Sequence, residues 1–487
     1  MNIARAKEQI KNAMTAYFSR DRFGGFMLPA EEQRPVFLMG PPGIGKTAVM
    51  KQVAEELGVS LVSYSMTHHT RQSVLGLPMI VKKNYGGIEV SATEYTMSEI
   101  IAEVYDTIES TGRKEGILFL DEINCVSETL APVMLQFLQF KTFGRHRIPE
   151  GWIVVTAGNP PEYNRSAKEF DIVTWDRLKR IDIEPDISAW KPYALKKGVH
   201  PSVTTYLDAK KDNFYRVELT AEGRQFVTAR GWTDLSEMIK LYEFNGIAVD
   251  ALLISQYIRI PEIAEDFARY YDLFNKYRSD YRLGEILAGR APEEICSRAA
   301  KAPFDERMSL IGLLLDSIGG RVKEVIDEED IISLLLPALK AVKSGTDLAV
   351  KAEEMREMFR RDERRGAVSQ EKRLINEAVM EFLEKHEQAG SSFAEIKTEY
   401  DGKVKHMREL AAAAGEEIEN LFAFAEKVWQ EGQEVLVMLS EMTISARYAR
   451  FVARYGCPAY YRHSEELMFK QRQLDIIRRI EQLNEEI

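Results

Sequence analysis

PVFLMGPPGIGKT, residues 35–47, is the stretch from which the fold is read. Pro35–Met39 is a short apolar run, the pattern of a buried strand, and it stops at Gly40. Residues 40–47 then fit G-x-x-x-x-G-K-[ST], and a helix is expected from Lys46 to about Leu57. Gly40, Gly43 and Gly45 allow the backbone to curl so that its N–H groups point inward, toward phosphate oxygens. The helix N-terminus adds partial positive charge at the same place. Lys46 would reach the β and γ phosphates, and the Thr47 hydroxyl would ligate Mg²⁺. Pro41, Pro42 and Ile44 complete the candidate ATP-binding loop.

Two further strands lie downstream. GILFLDEIN, residues 116–124, carries four apolar residues to a carboxylate pair. An all-apolar strand reads as central in a parallel sheet, and ligands bind at the C-terminal edge of such sheets. Asp121 can hold Mg²⁺ there, and Glu122 can orient and deprotonate a water attacking the γ-phosphate. Alone, the pair also reads as a helix cap. WIVVTAGNPPEYN, residues 152–164, brings Asn159 to a strand end, either to hydrogen-bond the attacking water or γ-phosphate or simply to make a turn before Pro160 and Pro161.

Around these motifs the pattern alternates. Helix is expected over residues 1–20, strand over 61–65, a hairpin over 76–95 around Asn84–Gly87, and helices near 96–110 and 127–140. Alternation of strand and helix implies right-handed crossovers and a parallel α/β sheet. After Pro185 the 3.6-residue period takes over and strand signals fade. Leu348, Ala352, Met355 and Phe359 share one face, as do Leu374, Ala378 and Phe382; Gly366, Gly390 and Gly402 are expected to break any long heptad run.

Composition sets bounds. Of 487 residues, 45% are hydrophobic and 29% charged, which fits a folded chain. Lys+Arg number 65 against Asp+Glu 76, a net charge of -11, which argues against general duplex binding. Cys125, Cys296 and Cys457 do not pair at metal-ligand spacing, which excludes a disulfide scaffold and a zinc ribbon. No apolar run approaches the about 18 residues of a membrane span, and the first residues lack the apolar core of a secretion signal. The expectation is a soluble, cytoplasmic protein. Cys125 reads as a small core residue. The stripe of Arg447, Arg450 and Arg454 reads as a solvated basic face against acidic neighbours, with a nucleic-acid surface as the rival reading. His68 and His69, adjacent in sequence, point to loop structure more than to a metal site.

The three motifs, in this order, resemble an AAA+ ATPase, and the closer resemblance is to the MoxR family. The 76–95 hairpin stands where that family carries an insert facing the ring pore. TWDRLKRIDI, residues 174–183, is similar to its segment with an Arg reaching a neighbour's active site; WKPYALKKGVHPSVTTYL, residues 190–207, to its first lid helices; and TARGWTDLSEMI, residues 228–239, to its lid motif with a phosphate-sensing Arg. Leu178 stands where Phe is usual and Ala229 where Pro is common, and Arg180 competes with Arg177 for the finger role.

The resemblance implies Lys46, Thr47 and Asp121 on phosphates and Mg²⁺, Glu122 as base and Asn159 as γ-phosphate sensor. It further implies Arg177 as a finger in trans and Arg230 as a lid sensor in cis. It implies a P-loop αβα parallel-sheet core at 1–184, a helical lid at 185–280, and leaves 281–487 as an all-helical extension for partners or assembly. A hexameric ring and a chaperone-like role on a partner with a von Willebrand A-type domain follow from the same resemblance. A nucleotide-gated scaffold with little turnover and a DNA-directed motor are the alternatives.

Overall fold

A computed structural model describes the chain except residues 165, 221–222, 365–369, 431 and 466–487. It divides into two compact units, Met1–Ala189 with Glu354–Arg373, and Trp190–Glu353 with Leu374–Ile487.

In the first unit, α1 (Ile3–Tyr17) precedes β1 (Val36–Met39), α2 (Lys46–Leu57), β2 (Ser60–Ser65) and the short α3 (Arg71–Leu75). A hairpin of β3 (Pro78–Tyr85) and β4 (Ile88–Tyr95) follows, then α4 (Glu99–Thr111), β5 (Gly116–Asp121) and α5 (Ala131–Phe140). A small hairpin, β6 (Thr142–Phe143) and β7 (His146–Arg147), leads to β8 (Trp152–Gly158), α6 (Ile172–Trp175) and β9 (Lys179–Asp182).

The main sheet has the order β2-β5-β8-β1-β9, and every pairing is parallel. Its inner strands β8, β1 and β5 are largely apolar and buried, as a sheet covered on both faces requires. β1 and β8 are buried at every position, and Phe37, Leu118, Leu120 and Val154 belong to one core cluster with Ile100, Ile101 and Phe137. This is the parallel α/β sheet that the alternation implied, and the helix at 46–57 and the hairpin at 76–95 stand where expected. β9 was not anticipated as a strand. It is an edge strand of four residues, and of Lys179-Arg180-Ile181-Asp182 only Ile181 is buried, so the apolar signal is one residue deep.

Lys141, at the end of α5, has φ 55° and is buried. Its Nζ donates to Ala30 O and to Gln33 O (2.7 Å), pinning the loop before β1. Burial pushes this ammonium down to about 8, and Arg147 adds to the effect.

The second unit continues with α7 (Ile187–Lys197), α8 (Pro201–Ala209), β10 (Arg216–Thr220), β11 (Gly223–Val227), α9 (Ala229–Phe244), α10 (Ala251–Tyr257) and α11 (Pro261–Asp280). Then come α12 (Leu283–Leu287), α13 (Glu293–Lys301), α14 (Phe304–Lys343), α15 (Leu348–Arg364), α16 (Gln370–Ala389), α17 (Phe393–Trp429), α18 (Gln433–Ile444) and α19 (Ala446–Tyr455), of which α15 from Glu354 and α16 up to Arg373 belong to the first unit. The β10–β11 hairpin corrects the wholly helical reading of this region. Charged residues on both strands and exposed Leu219 hide its period.

Gly402 does not break a helix: α17 runs through it, and nothing lies within 4 Å of where its Cβ would stand. Gly390, with φ 59°, follows the end of α16; Gly366 lies outside the described residues. Leu374 is exposed and Ala378 half-buried, while Phe382 is buried as read and α16 adds Asn376, Val379 and Leu383; Ala352, Met355 and Phe359 of α15 are buried as read.

Helices from either side of residue 280 pack tightly together in this unit. Lys191 Nζ donates to Asp208 (2.8 and 2.9 Å) and Glu441 (2.9 Å), and a Cβ on Gly312 would lie 2.3 Å from Thr205 Cγ2. Arg450 pairs with Glu329 and Asp330, and Arg454 with Glu329, so these two members of the basic stripe face acidic neighbours, while Arg447 donates to the Lys196 carbonyl. No helix among the described residues is long and apolar enough to cross a membrane.

The close approach of β5 and β8 is tested at Gly116, where a Cβ would fall 2.6–2.7 Å from the buried Trp152 ring. Overpacking of this kind costs about 1–3 kcal/mol. Gly116→Ala should therefore lower the thermal midpoint measurably, even though alanine ordinarily loses less chain entropy on folding than glycine does.

Candidate nucleotide site

The parallel order sets the C-terminal ends of β1, β8 and β5 side by side, and the candidate residues sit on the turns that leave them. The loop after β1 needs glycine at two points: Gly43 has φ 76° and Gly45, the N-cap of α2, has φ 95°. Gly40 is required for another reason, since a Cβ there would lie 2.8 Å from Ile183 O. Pro41, Pro42 and Ile44 fill the loop between them.

Lys46 begins α2 and is only 8% exposed. Its Nζ donates to Gly40 O (2.7 Å), Pro41 O (3.0 Å) and Asn159 Oδ1 (2.8 Å). A buried ammonium is tolerated only when its donors are matched, and these oxygens match them. Asn159, just past β8, is thereby tied to the phosphate-type loop. Thr47 Oγ1 donates to Asp121 Oδ2 at 2.9 Å, joining α2 to the end of β5. That pair is an oxygen donor set suited to a hard divalent cation such as Mg²⁺.

Glu122 follows directly, with φ 57°, a left-handed conformation unusual outside glycine. Its N–H donates to Asp121 Oδ1 (2.9 Å). Ser65 Oγ (3.2 Å), the last residue of β2, and Thr67 Oγ1 (3.1 Å), in the turn that follows it, donate to its Oε2. Asn124 is buried, and its Nδ2 donates to Asn159 O at 2.8 Å. Ser65, Thr67 and Asn124 had no role in the sequence reading. Asn124 stands inside the quoted acidic stretch, and two hydroxyls closing a strand beside β5 were the available signal.

Beside the loop a cavity of about 360 Å³ opens at the ends of β1 and β9, with Gly40, Pro41, Pro160, Trp175, Arg180 and Asp182 among its walls. Arg180 is engaged there: its guanidinium stacks 4.6 Å from the Trp175 ring and donates to Asp182 Oδ1 at 2.8 Å. Arg177, by contrast, is exposed and makes no ion pair among the described residues. Arg230 belongs to the second unit, exposed on the first turn of α9, whose N-cap Thr228 accepts from Gly231 N–H.

Cys125 is half-buried rather than a core residue. Asn164 Nδ2 donates to its sulfur (3.2 Å), and burial, aided by the Glu122 and Asp121 carboxylates, pushes its thiol up. His69 packs edge-on to Tyr64 and hydrogen-bonds Ser73, a local structural use; the His68 side chain lies outside the described residues.

A family model, ATPase family associated with various cellular activities (AAA), matches residues 36–167. Over that span the chain is similar to an AAA ATPase domain. The match opens on the first residue of β1 and closes after Asn159, so the matched span takes in the glycine loop, Lys46, Thr47, Asp121 and Glu122, while Arg177 and Arg230 lie beyond it. The matched family is one of ATPases, and the turns described above fall within the matched span. No curated protein matches the chain.

The bonds of Lys46 give the matched span a testable property without nucleotide. Lys46→Met leaves Gly40 O, Pro41 O and Asn159 Oδ1 without this donor, and an orphaned buried group costs about 1–3 kcal/mol. Denaturant unfolding of the nucleotide-free protein should show that loss; a lysine serving phosphate alone would show none.

Proposed function

We propose that the protein is a MoxR-type AAA+ ATPase that hydrolyses ATP at subunit interfaces and uses the cycle to remodel or mature a partner protein. The observation that carries the reading is the meeting of the Lys46–Asn159 and Thr47–Asp121 bonds at one sheet edge, with Glu122 next in the chain. The AAA match supports ATP as the substrate.

On this reading the backbone N–H groups of Gly43, Gly45 and neighbouring loop residues cradle phosphates, and Lys46 exchanges carbonyl oxygens for β- and γ-phosphate oxygens. Thr47 and Asp121 would hold Mg²⁺, which would neutralise charge on the phosphates when bound. Glu122 accepts a proton from the attacking water, and Asn159 hydrogen-bonds that water or the γ-phosphate. Ser65 and Thr67 orient the Glu122 carboxylate. Arg177 is the finger supplied to a neighbouring subunit. Arg177 makes no ion pair among the described residues, which supports this choice over Arg180, engaged with Trp175 and Asp182. Arg230 is the lid sensor within the same chain. A cation on the first turn of a helix opposes the helix dipole, and a bound phosphate would offset that.

Head-to-tail subunit contacts that close by rotation give rings, and a hexamer is the assembly proposed. The lid is assigned to residues 185–280 and the partner or assembly function to the helices of 281–487. A von Willebrand A-type protein is the client class that the resemblance suggests. The net charge of -11 weighs against a DNA-directed motor.

Glu122→Gln should bind ATP with affinity close to that of the unmodified chain while phosphate release falls by about 10²–10⁴-fold, the range for loss of a general base. Isothermal titration beside a phosphate-release assay separates the two, and undiminished turnover would remove Glu122 from the chemistry. Arg177→Ala should lower turnover by about 10³–10⁵-fold, the worth of a finger, and should depress neighbours when mixed into assemblies with unmodified chains. Full activity of isolated Arg177→Ala monomers would rule out action in trans.

A further inference from the structure

We propose that Asn124 is a positioning residue for ATP hydrolysis: its buried side-chain amide ties the turn carrying Glu122 to the end of β8, and so sets Asn159 against Glu122. The inference rests on the ATPase reading above.

The need for such a tie follows from the sheet. β1 and β8 stay in register to Met39 and Gly158, and Gly40 N–H still donates to Gly158 O (3.3 Å). β2 and β5 stay in register to Ser65 and Asp121. Between β5 and β8, however, the last register pair is Leu120 with Thr156. Past that pair the ladder no longer holds residues 121–122 against 158–159. Asn124 supplies the missing connection, with Nδ2 donating to Asn159 O at 2.8 Å.

The surroundings are shaped for that amide. Asn124 is 2% exposed and sits in a single 3₁₀ turn, Ile123–Cys125, that starts from the left-handed Glu122. Cys125 N–H closes the turn on Glu122 O (2.9 Å), and Ile123 anchors it in the core. Lys168 N–H holds the Asn124 carbonyl at 2.9 Å. On β8, residue 158 is glycine where a Cβ would lie 2.5 Å from Asn124 Oδ1 and 2.8 Å from Phe37 Cζ. A larger residue there would push the amide away. Because Asn159 Oδ1 also accepts from Lys46, one path runs from the phosphate loop through Asn159 and Asn124 to the turn of Glu122.

The test uses steady-state hydrolysis of Mg²⁺–ATP by the full-length chain, with thermal melts of each variant. Asn124→Asp keeps the shape and replaces the donor by an oxygen facing a carbonyl oxygen. A displacement of about 1 Å can cost about 10²-fold in rate. The expected result is a kcat lower by about 10- to 100-fold with the KM for ATP within about threefold. Combined with Asn159→Ala, the added loss should shrink well below that factor, since the group being positioned is gone. Gly158→Ala presses on the same amide from β8 and should give the same kcat-only loss, which keeps the test intact if Asn124→Asp fails to fold. An unchanged kcat in the folded variants, or losses at 124 and 159 that multiply in full, would overturn the positioning role while leaving the ATPase reading standing. A lack of hydrolysis by the unmodified chain would overturn both.

Discussion

A lysine ammonium withdrawn from water has to be met by oxygens, and the site is organised around how Lys46 meets them. Two of its acceptors are carbonyls of the loop it closes, and the third is the side chain of Asn159. The loop must therefore curl back on itself, which explains the left-handed Gly43 and Gly45, and the end of β8 must lie within reach. The sheet order meets that second demand by inserting β8 between β1 and β5. On the proposed reading, phosphate oxygens would compete with the loop carbonyls for the same ammonium, which would link nucleotide binding to loop order.

Strain is concentrated a few residues away. Glu122 adopts a backbone conformation costing on the order of 1–2 kcal/mol for a residue with a Cβ. It is held there by the Asp121 carboxylate on its N–H, the Ser65 and Thr67 hydroxyls on its carboxylate, and the buried Ile123 and Asn124 behind it. The fully apolar strands are what make this affordable, because they fix the strand ends from which the polar turns depart. A flexible platform would let the turn relax and the carboxylate swing away.

Much of the first unit was legible in the sequence because its signals are local. A run such as Ile117–Leu120 has few alternatives to a central strand, and a glycine loop before Lys46 has few alternatives to a phosphate-type cradle. What escaped was set by tertiary context. β9 shows one buried residue in four, and the β10–β11 hairpin has charged positions on both faces. Gly402 reads as a breaker, yet it lies on an open face of α17 where a missing side chain costs little packing. Asn124, Ser65 and Thr67 carry no motif, and their value appears only when β2, β5 and β8 are adjacent. Leu374 shows the same limit from the other side, since period alone cannot say which face of a helix meets the core.

The most direct measurement is an experimental structure with Mg²⁺ and a slowly hydrolysed ATP analogue. The account predicts the γ-phosphate between Lys46 Nζ and the Asn159 amide, with the metal on Thr47 near Asp121 and Glu122 facing the terminal phosphorus. A nucleotide bound elsewhere, or one that leaves Lys46 on its loop carbonyls with Glu122 turned away, would contradict it.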